Sequence, residues 1–120
     1  MTMKNIAPQI MRKRLLIEAK YTISVQEQDV RSFLLDLAKS LNLKTYGDPI
    51  IHSPDGQGKE ENQGYDAFVP LIDSGISLYV WVNAKFLSCV LYTCKDFLTE
   101  DAVSFTKNFF KTLELEWEEF

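Results

Sequence analysis

The feature that most constrains this chain is a set of three apolar runs, residues 65–72, 75–82 and 85–93, separated by only two residues each. Each run is short and rich in β-branched and aromatic side chains, the composition of strands half-buried on a sheet. Breaks this short join antiparallel neighbours, so the runs read as consecutive hairpins.

The flanking sequence changes period. Residues 14–21 (RLLIEAKY) read as a first strand. Across residues 26–42 the apolar set Val30, Phe33, Leu34, Leu37, Ala38 and Leu41 recurs at steps of three and four, as on one side of a helix. A second strand is expected at about residues 43–51. Residues 52–64 are polar, Gly-rich and aperiodic, and read as a flexible loop of a length uncommon in compact domains unless functional or disordered. Thr99 is the expected N-cap of a second helix, with Glu100 and Asp101 in its first turn and Val103, Thr106, Phe109, Phe110 and Leu113 along it. The tail alternates, giving a last strand with Leu113, Leu115 and Trp117 inward. Residues 1–12 read as a loose arm. The expected architecture is therefore α/β (α+β): one domain over residues 1–120, a two-layer sandwich of a mostly antiparallel sheet with two helices on one face, in the order β-α-β-β-β-β-α-β.

Composition narrows the function. The apolar fraction of 46% and charged fraction of 25% are those of a globular protein. A net charge of −4 argues against nucleic acid as a partner, and the basic residues Lys4 and Arg12 to Arg14 fall in or beside the N-terminal arm. The sequence has no apolar stretch long enough to span a membrane and no apolar leader at its start, so a cytoplasmic location is expected. Cys89 and Cys94, on one strand, would stand about 16 Å apart, well beyond the roughly 7 Å that a disulfide spans. His52, the single histidine, has no partners at metal-ligand spacing, and no metal is expected. It reads either as a solvated loop residue or as a ligand contact. Gly56-Gln57-Gly58-Lys59 lacks the full spacing of a phosphate loop.

A hairpin turn centred on Ala84 would set Ser74 opposite Cys94 and Tyr79 opposite Cys89, with directly opposed residues ~4.5–5.5 Å apart. A hydroxyl and a thiol at that distance can act on one substrate. Two plainer readings stand beside this one: turn chemistry for Ser74 in Asp73-Ser74-Gly75, and a small buried hydrophobe for the cysteine.

The segment Leu71-Ile72-Asp73-Ser74-Gly75-Ile76-Ser77-Leu78-Tyr79-Val80-Trp81, followed by Leu91-Tyr92-Thr93-Cys94, resembles the core motif of the prokaryotic pyruvoyl-dependent S-adenosylmethionine decarboxylases. Ser74, Ser77, Trp81, Thr93 and Cys94 match in type and spacing. The likeness extends to Leu15-Leu16-Ile17-Glu18, to His52 and Pro54, and to the order of elements. It implies self-cleavage at Asp73–Ser74, a pyruvoyl cofactor derived from Ser74, Cys94 as proton donor to the decarboxylated carbon, a role in polyamine biosynthesis, and a homodimer.

The departures lie in the residues that mature the cofactor. The family's processing histidine falls on Tyr79, a phenol whose ordinary pKa near 10 makes a poor base. The glutamate before the serine is Asp73, the histidine after it is Gly75, and a processing serine falls on Asp66. The Trp-Pro-Glu that follows is here Trp81-Val82-Asn83. The adenine-stacking phenylalanine is missing from a longer loop, and Tyr65 is the available substitute. The expectation is a divergent homologue that does not process itself, with a nucleoside- or amine-binding cleft formed by Tyr65, Asp66, His52 and Trp81. An active decarboxylase of S-adenosylmethionine or another amino acid, using Tyr79 or Asp66 as base, is the alternative, and a plain interaction module is the third reading.

Overall fold

Apolar and polar residues alternate along six segments, and this alternation gathers them into one sheet with one wet face. A computed structural model describes residues 3–53 and 63–120. Its strands are β1 (Lys13–Lys20), β2 (Ile50–His52), β3 (Gly64–Leu71), β4 (Ser74–Trp81), β5 (Phe86–Thr93) and β6 (Glu114–Glu119). They lie in the order β2-β3-β4-β5-β1-β6, and every neighbouring pair is antiparallel. Helix α1 (Glu27–Ser40) follows β1 and α2 (Thr99–Phe110) follows β5, so the element order is the expected one.

Both helices cover the same face. From the sheet, Leu15, Ile17, Val69, Ile76, Leu78, Leu87 and Leu91 are buried against Val30, Phe33, Leu34 and Leu37 of α1 and Ala102, Val103 and Phe110 of α2. Each such side chain contributes roughly 1.5–3 kcal/mol on burial. Phe33 joins the helices, its ring 4.8 Å from that of Phe110 and 5.3 Å from that of Phe109. The backbone N–H of Gln26 donates to the Asp29 carboxylate at 2.8 Å, which satisfies a free donor at the start of α1.

The structure departs from the sequence expectations at the element ends. β2 has three residues rather than nine, because Tyr46-Gly47-Asp48-Pro49 interrupts the run and proline cannot donate to a ladder. Only the isolated bridge between Thr45 and Leu71 remains of its first half. Thr99 is the first residue of α2 and not its cap, and its hydroxyl donates instead to the Glu119 carboxylate at 2.9 Å. Lys111, with φ 51°, ends α2 before Leu113, which is 78% exposed. Trp117 is half exposed, because β6 is an edge strand paired only with β1 and lies at the margin of the helical layer. The arm is irregular but tied: the Arg12 guanidinium donates to the carbonyls of Ala7 and Ile10 and to Asn5 Oδ1. Most of the expected loop, residues 54–62, lies outside the described residues. Among the described residues no helix is long and apolar enough to cross a membrane.

Candidate functional site

The β4–β5 hairpin closes through four residues, 82–85, with Trp81 opposite Phe86 and Lys85 in the left-handed region at φ 51°. This corrects the expected register by one residue. Ser74 pairs with Thr93, not Cys94, and Tyr79 pairs with Ser88, not Cys89. A four-residue loop cannot centre on Ala84, and a one-step slip moves every partner to the other face.

Ser74 and Thr93 therefore share the helix-covered face with Ile76, Leu78, Cys89 and Leu91. Thr93 is buried and fully engaged. Its hydroxyl donates to the Lys95 carbonyl at 3.0 Å and accepts the Lys95 N–H at 2.8 Å. Its single proton is thus committed, so Ser74 Oγ must be the donor in the 2.7 Å bond between the two hydroxyls. Lys13, across from Thr93 on β1, donates to the Phe97 carbonyl and lies 3.4 Å from the Glu119 carboxylate. Cys94 follows the end of β5, exposed, and its backbone N–H donates to the Asp73 carbonyl at 3.1 Å.

The β3–β4 connection is tighter. Leu71 faces Ser74 across only Ile72 and Asp73, and Asp73 adopts φ 62°. A non-glycine residue there is strained, although aspartate tolerates it better than most.

The opposite, uncovered face collects the other predicted residues. Paired positions run straight across the sheet from His52 to Asp66, Tyr79, Ser88, Glu18 and Glu116. Apart from the half-buried Ser88, all of these are exposed. Beside this polar row runs a more apolar one, Ile50, Phe68, Ser77, Val90, Leu16 and Glu118. Trp81 lies on the same face with its ring 5.2 Å from that of Phe86. A Cβ on Gly75 would come within 2.6 Å of the Phe68 ring, so that ring covers the spot where the family places a histidine.

The sheet thus brings together His52, Asp66, Tyr79 and Trp81 on one face, and Asp73, Ser74 and Cys94 at one hairpin end. It does not bring the two groups together. Tyr79 lies five residues from Ser74 on the same strand, about 16 Å along it, and on the other face. Tyr65 also falls outside the open face: it pairs with the buried Val80 and packs against the core. Burial, and next to it the neighbouring Tyr65 phenol, push the Tyr21 hydroxyl up to about 12, where it donates to the Trp81 carbonyl. Burial likewise pushes the Cys89 thiol up to about 12, so it is not a nucleophile at neutral pH. Neither cysteine is in a disulfide. Among the described residues no cluster of histidine, cysteine and carboxylate groups is placed to hold a metal.

Sequence reasoning missed Thr93 as Ser74's partner, and Glu18 and Glu116 as members of the polar row. The alternation of Leu87, Cys89 and Leu91 in β5 carried the signal for Thr93, since the next inward position is residue 93.

The family model for S-adenosylmethionine decarboxylase matches residues 16–120. The chain belongs to that family. The crystal structure of the adenosylmethionine decarboxylase from Aquifex aeolicus VF5 superposes with a TM-score of 0.73 over 92% of this chain and 89% of that one, at 16% sequence identity. At this identity the likeness speaks for the fold. No curated protein matches the sequence. The pyruvoyl group implied by the family would have to arise from Ser74. A serine hydroxyl suits that origin, while a phenol and a carboxylate, Tyr79 and Asp66, stand on the other face of the sheet at the positions of the family's processing histidine and serine.

Proposed function

We propose that this member of the S-adenosylmethionine decarboxylase family is a divergent homologue that does not mature to the pyruvoyl form and binds a cationic nucleoside or amine on the open face of its sheet. The observation that carries the reading is the pairing of Asp66 with Tyr79, a carboxylate and a phenol where the family has its processing serine and histidine. Asp66, Glu18 and Glu116 give the face negative charge, and Tyr79, Trp81 and Phe86 supply aromatic surface. That combination suits a sulfonium or ammonium ion. The same face exposes Ile50, Phe68 and Tyr92, which favours its cover by a second copy in a homodimer. A cytoplasmic location belongs to the same reading.

Intact mass tests the first half: a single species at 13.9 kDa is expected. Two fragments, the second starting at a blocked Ser74, would overturn it in favour of the active decarboxylase. Calorimetry with S-adenosylmethionine on the wild type and on Asp66→Asn tests the second half. Heat with the wild type that is lost in the variant supports the site, and no heat with either sinks it.

A further inference from the structure

Among the described residues, β6 is paired with β1 on one side and with nothing on the other, so its outer backbone groups are open to a further strand. Its side chains divide by face. Glu114, Glu116 and Glu118 lie on the open face, in register with Lys20, Glu18 and Leu16. Glu119, on the opposite face, is matched: Lys13 stands 3.4 Å from it and the Thr99 hydroxyl donates to it. Among the described residues the other three carboxylates have no ion pair.

The face of β6 toward the helices is apolar where the helical layer runs out. Trp117 lines a groove of about 450 Å³ with Leu98 and Val103, and Leu115 lines a second, of about 810 Å³, with Leu113. Lys107 borders both, so they form one seam between α2 and β6. Leu115 and Trp117 stand about 6.6 Å apart along the strand, the repeat of same-side residues on any strand laid beside it. Glutamates alone would blunt an edge, whereas an exposed tryptophan over a groove is the kind of residue that anchors a partner.

Charge decides what fits there. A second β6 laid antiparallel on the first would set glutamate against glutamate, and like charges directly opposed destabilise a strand pair. In the seam Lys107 and Lys111 outnumber Glu100, which disfavours basic side chains on that side. We propose that β6 is a docking edge for an extended segment of another protein in which lysine or arginine alternates with apolar residues. The segment's backbone extends the sheet, its apolar side chains enter the seam beside Leu115 and Trp117, and its basic ones lie against Glu114, Glu116 and Glu118.

The probe is a short synthetic peptide of alternating lysine and valine, blocked at both ends and titrated into the chain by calorimetry. It should bind, and a peptide with glutamate in place of lysine should not. Of two further peptides, one N-methylated at every valine and one at every lysine, one should bind like the parent and the other should fail, because only alternate N–H groups face β6. The triple variant Glu114→Gln, Glu116→Gln, Glu118→Gln should weaken binding about tenfold at unchanged circular dichroism, each exposed pair contributing little. Trp117→Ala should weaken it by a similar factor. No heat with the lysine peptide overturns the proposal and leaves the glutamates as a guard against edge pairing. Binding that survives in both N-methylated peptides or in neither overturns strand addition. Sedimentation that finds dimers dissolved by the peptide assigns the edge to a second copy instead. The calorimetry with S-adenosylmethionine is a separate measurement, so the open-face site and the docking edge stand or fall independently.

Discussion

The two turns that flank β4 have much in common. Each holds a non-glycine residue in the left-handed region, Asp73 at φ 62° and Lys85 at φ 51°. Each of these residues offers its carbonyl to a backbone N–H from another segment, Asp73 to Cys94 at 3.1 Å and Lys85 to Tyr21 at 2.9 Å. Strain and a polarised carbonyl are therefore shared features of these hairpin ends and do not mark chemistry. What differs is the next side chain. After Asp73 comes Ser74, whose hydroxyl is held by a buried threonine; after Lys85 comes Phe86, whose ring packs on Trp81. One backbone arrangement thus serves as a plain turn at one end of the strand and as a candidate reactive peptide at the other.

The largest effect is expected in the strand the turns share. Leu78, fully buried at the middle of β4, should cost about 2–5 kcal/mol when replaced by alanine, read from urea denaturation. Hydrogen exchange should show both hairpins losing protection together; survival of one alone would mean that the turns belong to separate units.

A smaller effect is expected in alkali. Burial raises the Cys89 thiol from 9.0 to about 12 in the folded chain, so the folded state keeps a proton that the unfolded state sheds. Stability is full below pH 9.0 and should fall as pH rises toward 12, by up to about tenfold in the folding equilibrium per pH unit. Tyr21, raised from 10.0 to about 12 by burial and by Tyr65, adds to the loss over the upper part of that range. Denaturation curves at a series of pH values should flatten for Cys89→Ala, measured relative to that variant's own neutral stability.

The smallest effect separates the turns directly. Asp73→Gly and Lys85→Gly should each stabilise the chain by up to about 1 kcal/mol by relieving a left-handed backbone. Urea denaturation that finds one variant stabilised and the other not would show that the two turns carry unequal strain.

Where packing imposes a period, the sequence was readable. Val30, Phe33, Leu34, Leu37 and Ala38 are all buried in α1 as their spacing required, and the element order followed from such patterns. The hairpin register was not readable, because the residue that closes the loop in a left-handed conformation is Lys85, where a glycine or asparagine would have announced it. That one-residue uncertainty hid Thr93 and put Cys94 in its place. Trp117 misled for another reason: alternation says which way a side chain points, not whether a helix extends far enough to cover it. Tyr65 was expected beside a ligand on the strength of its ring alone, and its parity in β3 turned it toward the core.

The placement of β1 governs when this sheet can form on a growing chain. β1 is made before the other strands, yet its neighbours are β5 and β6, so Leu15, Ile17 and Ala19 have no strand to join until residues 86–93 have been synthesised. α1 and the β3–β4 hairpin can assemble early from local contacts, but the half of the sheet around β1 depends on pairings that span most of the sequence. High contact order of this kind slows folding toward the millisecond-to-second range and leaves an apolar strand unprotected in the meantime. A ribosome stalled before β5 would therefore hold a nascent chain with its first strand bare, a ready client for a chaperone.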